Sequence, residues 1–381
     1  MKLIYINNTR LPSEKANSYQ AVQMCSSFAK VFDEVELWTG KVVNTTDDLS
    51  KVSDIFSYYG VHENFMIKRL YHFDSVLLLK LHEFIWANIR DISFSINAIW
   101  HLINYKGTSD LVIYTRDWIF SGVYLLCKRL GLVRYKIIYE SHKFSKKLLP
   151  FIKGVDGLVV INNFLGELHR KKKFQDILVA HDGVNVSDYL GIQKYKFKPN
   201  KNIINVVYTG SLFLWKGAYL LVDCLEFLPQ NINLIFVGGS GEHLDNFKKY
   251  ISDKSYLEQI TLIPHLPKLE VIPYIENADI LVLPNSGKYE MNKYTSPIKL
   301  FEYMASGRPI VASNIPSIGE VLVNNKNALL FHPDDAYDLA DKIKEAIGSD
   351  HSGMIDNAFF EVQKYSWDNR AINIQNFLIN L

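Results

Sequence analysis

This sequence predicts an α/β protein built as two doubly wound, Rossmann-like domains facing a central cleft. Three observations carry the expectation. The chain has 381 residues, and at about 150 residues per domain that length suggests two domains. Short β-branched or aromatic runs alternate with helical stretches from end to end. Most of the runs are continuously apolar rather than alternating, as in strands buried on both faces of a parallel sheet.

In the first half the strand runs are KLIYIN (2–7), EVELWTG (34–40), LVIYTR (111–116), KIIYESH (136–142), GLVVINN (157–163) and ILVAHDG (177–183). In the second half they are NVVYTG (205–210), NLIFVGG (233–239), QITLIP (259–264), ADILVLPN (278–285), RPIVASN (308–314) and ALLFHP (328–333). Helical stretches fill the gaps at 18–32, 218–228, 297–306 and 334–347. Twelve strands in one sheet would be unusual, so two sheets of about six strands are expected. The boundary falls near GVNVSDYLGIQKYKFKPNKN (183–202), a polar stretch that holds Pro199 and has no strong period. Open α/β sheets bind ligands beyond the carboxyl ends of their strands, so two facing domains would place a site in the cleft between them.

Composition removes several classes. Hydrophobic residues are 48% and charged residues 22% of the chain, ordinary for a soluble globular protein and unlike disordered, collagenous or mucin-like chains. Cys25, Cys127 and Cys224 are scattered without metal-ligand spacing and read as reduced core thiols of a reducing compartment. The start, MKLIYINNTR, lacks signal-peptide architecture. The apolar stretch SVLLLKLHEFIWANI is broken by Lys80, His82 and Glu83 and falls short of a span of ~20 apolar residues. A cytoplasmic location is therefore expected. Residues 1–190 hold 24 Lys and Arg against 19 Asp and Glu, and residues 191–381 hold 18 against 21. That asymmetry is too weak for a nucleic-acid binder, so no nucleic acid is expected as a partner. It suits a first half lying near the anionic inner face of the cell membrane. The run HRKKKF (169–174) is either a solvated helix face or part of such a contact.

Three segments carry chemistry. In YTGSLFLWKG (208–217) a strand ends at Gly210, a loop follows, and Lys216-Gly217 opens a helix. Glycine permits close backbone approach, a helix N-terminus offers free N–H groups to an anion, and Lys216 adds a full charge. FVGGSGEH (236–243) is a second glycine-rich strand end, with Gly238 and Gly239. It is not a GxGxxG fingerprint, because Leu244 holds the last place; it reads as a tight turn or as backbone against a ribose or phosphate. In YTSPIKLFEYMASGRPIVAS (294–313), Ser296 suits an N-cap and Pro297 a first helical position. Thr295 and Ser296 would aim donors at an anion. Glu302 lies among apolar neighbours, where a carboxylate is costly unless paired or liganded; accepting two ribose hydroxyls would satisfy it.

Together these segments resemble the donor-nucleotide half of glycosyltransferase family 4, retaining enzymes of the GT-B fold, of the bacterial surface-polysaccharide type. The resemblance covers roughly residues 203–333, including ADILVLPN before the Glu302 helix and GRPIVASNIPSIGEVL after it. HDGVNVSDY (181–189) is similar to the interdomain Gly-Val-Asp signature, with Asn185 in the Asp place. KYSWDNRAINIQNF (364–377) resembles the family's C-terminal helix. The implied organisation is an acceptor-binding domain over 1–183, a nucleotide-sugar-binding domain over 184–363, and a helix over 364–381 packing back toward the first domain.

The sequence departs from the pattern twice. The Arg that often follows the glycine is Ser211 here, so diphosphate charge would rest on Lys216, helix dipoles and Lys299. The first of two glutamates spaced eight apart is Tyr294, a place the resemblance implies contacts the donor sugar; Glu290 is nearby but out of register. In the first half, TRLPSEKANSYQAV (9–22) resembles the acceptor-side loop, and IYESHKFSKK (138–147) puts His142 at a strand's carboxyl end. A histidine there lies near the donor sugar in many relatives; packing or surface exposure is the alternative. Arg116 and Asp117 end another strand, as a salt-bridged loop pair or a substrate contact. The aromatic stretch 80–103 is a core helix or part of an acceptor-lipid surface.

There is no HExxH, CxxC, GxxxxGK[ST] or GxSxG, and Asp334-Asp335 reads as a helix start. The resemblance implies metal-independent transfer with no cofactor beyond a UDP- or GDP-sugar substrate, and an acceptor hydroxyl on a lipid-linked or growing glycan. His142, Lys216 and Glu302 would act at the reacting groups. Gly210, Ser211, Gly238, Gly239, Tyr294, Thr295, Ser296 and Lys299 would line the donor. The rivals are a nucleotide-sugar epimerase on the same fold, and a non-catalytic subunit, which Ser211 and Tyr294 favour.

Overall fold

A computed structural model describes residues 1–41, 47–73, 83–105, 110–189 and 202–381. Residues 190–201 of the expected linker and 74–82 of the long apolar stretch lie outside the described residues. The chain divides into two units, Met1–His181 with Trp367–Leu381, and Asp182–Ser366.

The first unit holds strands β1 (Lys2–Ile6), β2 (Glu34–Gly40), β3 (Met66–Leu70), β4 (Leu111–Thr115), β5 (Lys136–Ser141), β6 (Gly157–Val160) and β7 (Ile177–Val179). They pair in the order β3-β2-β1-β4-β5-β6-β7, with every neighbour parallel. The continuous apolar runs are explained: all five residues of β1 and of β4 are buried. Strand β3, MIKRL, was not anticipated. It sits at the sheet edge and is only partly buried, so it needs no apolar run; Lys68 and Arg69 suit an edge that must not recruit another strand. Thr115 lies opposite Tyr139 in the β4–β5 register, so β5 reaches beyond β4 and delivers Glu140 and Ser141 to the carboxyl edge. The last helix, Trp367–Ile379, belongs to this unit. It lies along the Ala16–Phe28 helix, where Lys30 pairs with Asp368 at 2.8 Å and Gln375 donates to the Val31 carbonyl.

The second unit holds β8 (Ile204–Thr209), β9 (Ile232–Val237), β10 (Ile260–Ile263), β11 (Ile280–Leu283), β12 (Ile310–Ser313) and β13 (Leu329–Phe331). Their order, β10-β9-β8-β11-β12-β13, is the doubly wound arrangement in which the strand order reverses between β8 and β11. Ligands of such sheets bind at that reversal, beyond the strand ends. Both faces are covered. Val206, Tyr208, Phe236 and Val282 join one core cluster, while Val207, Ile235, Leu281 and Phe301 join the other. Each such side chain is worth about 1.5–3 kcal/mol when fully buried, which is why period-two alternation disappears from these strands. The helix expected over 218–228 is an α-helix only over Ala218–Asp223 and continues as a 3₁₀ turn over Cys224–Phe227.

Candidate functional site

In the second unit the chain leaves β8 at Gly210, runs through Ser211, Leu212 and Phe213, and makes a 3₁₀ turn over Leu214–Lys216. Gly217 follows with φ 77°, and a Cβ there would come within 1.7 Å of the Pro284 carbonyl oxygen. Only glycine lets this loop close on the exit of β11. Gly238, at the end of β9, is required for the same reason: a Cβ would lie 2.4 Å from the Gly210 carbonyl oxygen. Gly239 packs on Leu212, whereas Gly210 itself faces open space. The loop after β8, the glycine turn after β9 and the exit of β11 thus lock against one another at the point where the strand order reverses.

Lys216 is carried by this loop. Its ammonium lies 5.1 Å from the Trp215 ring centre and 5.9 Å from that of Phe213. Burial lowers its pKa to about 8, and no carboxylate pairs with it among the described residues. Lys299, in the first turn of the Ile298–Ala305 helix, is 8% exposed. Its Nζ has no hydrogen-bond partner among the described residues and lies 3.7 Å from the Tyr208 ring centre. Burial, then the charge of Lys216, push the Lys299 pKa well below the usual lysine value, against the pull of Glu302. An ammonium removed from water without a partner costs several kcal/mol, so Lys299, with the half-buried Lys216 beside it, describes a place suited to an anion. Ser211, in the place of the expected Arg, adds no charge; its carbonyl accepts the Tyr208 hydroxyl at 2.7 Å.

The lead into the Ile298–Ala305 helix differs from expectation. Pro297, not Ser296, is the N-cap residue, and no side chain caps the helix. The Ser296 hydroxyl instead accepts the Asp182 backbone N–H at 3.0 Å, tying the start of the unit to this loop. Thr295 and Tyr294 are half-buried just before it, and Glu290 is engaged by Lys293 at 2.8 Å. Tyr303 fixes the helix to β8 through a hydrogen bond from the Thr209 N–H at 2.9 Å.

Glu302 is buried, as its apolar neighbours implied, but it is not vacant. It pairs with Lys268, from the Lys268–Glu276 helix. Lys268 also donates to the Tyr189 hydroxyl at 3.1 Å. Asp188 stands beside this group; burial raises its pKa, opposed by Lys268 and Asn185. Lys268, Tyr189 and Asp188 were not singled out from the sequence. A carboxylate needing a partner was legible, but nothing local to PKLE marks Lys268 as that partner. A cavity of about 920 Å³ lies beside the same loop, walled by Phe213, Trp215, Tyr219, His243 and Tyr250. Neither Lys216 nor Lys299 lines it.

In the first unit His142 follows the end of β5. Its Nε2 bonds Glu140, a carboxylate with no exposed surface. Glu140 also accepts Gln20 at 2.6 Å, the Tyr114 hydroxyl, and the Arg370 guanidinium at 3.2 Å. Burial would raise its pKa, but the charges of Arg370, His142 and Arg116 override this and hold the carboxyl well below the usual carboxylate range. A carboxylate only accepts, so His142 carries its proton on Nε2. Arg370 further donates to the His181 carbonyl at 2.9 Å. Arg116 and Asp117 do not pair with each other. Arg116 donates to Gln20 at 2.8 Å, and Asp117 caps the Trp118–Arg129 helix, its pKa raised to about 6 by burial and by Asp91. His169, first of the cationic run, is buried against Ser141 at 3.0 Å, leaving Arg170–Lys173 exposed. Asp335 caps the Ala336–Gly348 helix, and no group of three metal-ligating side chains occurs among the described residues.

Comparison with known proteins gives first the class. The whole chain aligns with Anabaena Alr3699/HepE, solved with UDP, at a TM-score of 0.72 and 14% identity, covering 100% of both chains. The fold is GT-B, two Rossmann-like parallel-sheet domains. More particularly, residues 192–358, which fall within the second unit, match the family model described as Glycosyl transferases group 1. An uncharacterized glycosyltransferase of Methanocaldococcus jannaschii is 21% identical over 222 residues, 58% of each chain. A D-inositol 3-phosphate glycosyltransferase of Pseudarthrobacter chlorophenolicus is 22% identical over 216 residues, 53% of this chain and 50% of that one. The chain thus spans between half and three fifths of these relatives.

Proposed function

We propose that this chain is a retaining, metal-independent glycosyltransferase of the hexosyltransferase type. It moves a sugar from a UDP- or GDP-sugar to a hydroxyl of a lipid-linked or growing surface glycan of the bacterial polysaccharide type. The observation that carries this reading is the pair Lys216 and Lys299, one half-buried and one buried ammonium group without an anionic partner among the described residues, at the strand-order reversal of the second unit. A nucleoside diphosphate supplies the missing charge. As the sugar leaves, negative charge builds on the β-phosphate, and preorganised cations there stabilise the transition state more than the ground state.

The remaining roles follow from this one. Glu302, paired with Lys268, accepts the ribose hydroxyls. The turns at Gly210, Ser211, Gly238 and Gly239 let the nucleotide approach backbone, and Tyr294, Thr295 and Ser296 border the phosphates and sugar. His142 orients the donor sugar, its ring set by Glu140. Ser211 favours a second reading, a non-catalytic subunit that binds the nucleotide sugar without turning it over. A nucleotide-sugar epimerase is the third.

A thermal-shift screen tests the site, because a ligand bound only by the folded state raises its melting temperature with concentration. UDP and GDP should stabilise the protein and uridine and guanosine should not; no shift with any diphosphate removes the reading. Product analysis by NMR then separates transfer with retained anomeric configuration from epimerisation or binding alone. The reading includes a cytoplasmic location with peripheral contact to anionic membrane, supported by the exposed Arg170–Lys173 run.

A further inference from the structure

The Glu83–Ile103 helix has 21 residues and is apolar on more than one side. One face buries Phe94, Ala98, Ile99 and Leu102 in the core of the first unit. A second face is bare: Ile85, Ile89, Ile92, Ile96, Trp100 and Ile103 are between 37% and 60% exposed. At 3.6 residues per turn these six fall within an arc of about 80° and run about 27 Å along the axis. A soluble protein rarely leaves so long an apolar stripe uncovered.

Two features decide what covers it. The first is charge. The first unit contains 25 Lys and Arg against 18 Asp and Glu, a net +7, and the second 17 against 22, a net −5. Along residues 85–103 the one carboxylate, Asp91, is neutralised by Arg90 at 2.8 Å. A two-fold dimer through this face would set two +7 units against each other, whereas an anionic surface complements both the stripe and the charge. The second is length and polarity. No helix among the described residues is long and apolar enough to cross a membrane, so a helix of this kind lies in the plane of the interface. Trp100 on the stripe, and Tyr71, whose backbone carbonyl accepts Asn97 of this helix at 3.1 Å, are ring types that favour the interfacial layer.

We propose that the Ile85–Ile103 stripe is the membrane-docking surface of this protein, lying parallel to an anionic bilayer with its isoleucines and Trp100 in the interfacial layer. The inference rests on the membrane reading above and assigns it a surface. Arg170–Lys173 then act at longer range, adding attraction rather than insertion.

The test is sedimentation with vesicles of phosphatidylglycerol and phosphatidylethanolamine, against phosphatidylcholine alone, using the full chain. Wild type should bind the anionic vesicles, and binding should weaken as salt screens it. Ile89→Glu with Ile96→Glu should lower the partition coefficient at least tenfold at every salt concentration. Both positions are exposed, so the melting temperature and its shift with UDP should stay at wild-type values, showing that the variant is folded. Lys171→Glu with Lys172→Glu should lower binding mainly at low salt. If the isoleucine variant binds like wild type while the lysine variant does not, the stripe is refuted and the membrane reading survives. If wild type binds no vesicles, both fall. A wild-type dimer in analytical ultracentrifugation that Ile89→Glu with Ile96→Glu converts to monomer would also overturn the proposal, by giving the stripe to a second copy.

Discussion

Lys299 in the second unit and Glu140 in the first are each a charged side chain buried near the carboxyl edge of a parallel sheet, and they are furnished in opposite ways. Glu140 is surrounded: Gln20, Tyr114, His142 and Arg370 all donate to it. Lys299 has a tyrosine face below it and a second cation nearby. The protein alone satisfies the first and leaves the second incomplete. A buried charge with every lone pair used holds its neighbours in place, here His142 and, through Arg370, the chain at His181. A buried charge left wanting marks where a ligand of opposite sign completes the structure.

The largest effect expected from this contrast is on stability in the first unit. Glu140→Gln leaves the Arg370 guanidinium buried without its counter-charge, and breaking such a pair costs about 3–5 kcal/mol. Urea unfolding should show a midpoint lowered accordingly; a change below about 1 kcal/mol would mean the carboxylate holds nothing together. His142→Ala should behave otherwise, because its ring is partly exposed. Transfer should fall about 10²-fold, as for a misplaced reacting group, with melting temperature and UDP affinity near wild type. A destabilised but fully active variant would return His142 to a packing role.

The unsatisfied side of the comparison predicts the reverse sign. Lys299→Met removes an unpaired buried cation, so the ligand-free protein should become more stable while UDP affinity falls about tenfold or more. Loss of stability without loss of affinity would show that Lys299 is a structural residue. Lys216 adds a pH dependence. Its folded-state pKa of about 8 lies below the ordinary 10.5, so from pH 8 to 10.5 the unfolded chain binds more protons and this residue's contribution to stability rises with pH. A bound diphosphate favours the ammonium, so binding takes up a proton in that window and UDP affinity should decline as pH rises above about 8. Calorimetry in buffers of different ionisation enthalpy reads the proton directly. The smallest effect is on ribose recognition: Glu302→Gln should narrow the preference for UDP over its 2′-deoxy analogue, and an unchanged preference would remove Glu302 from the ribose.

The fold was legible because its signals are local and repeated. Each of the twelve apolar runs contains a strand, and the edge strand β3 escaped because an edge with Lys68 and Arg69 needs no apolar run. The second-unit site was legible where backbone demands glycine, at Gly217 and Gly238, and where charge sits in an apolar helix, at Lys299 and Glu302. What was missed is pairing across the sequence. Arg370 meets a carboxylate that precedes it by 230 positions, and Lys268 meets one 34 positions later. Glu140 did leave a mark, since a carboxylate inside the buried run KIIYES must find donors. The identity of those donors depends on strand order and on the return of the last helix, which no local pattern contains.

Lys216 and Lys299 should hold a diphosphate through their charge. Isothermal titration of UDP and of uridine into wild type and Lys216→Ala measures it. Removing one charge-assisted contact should cost UDP about 1.5–3 kcal/mol, roughly 10- to 150-fold in affinity, while uridine binding stays within twofold of wild type. Equal losses for UDP and uridine would contradict the claim.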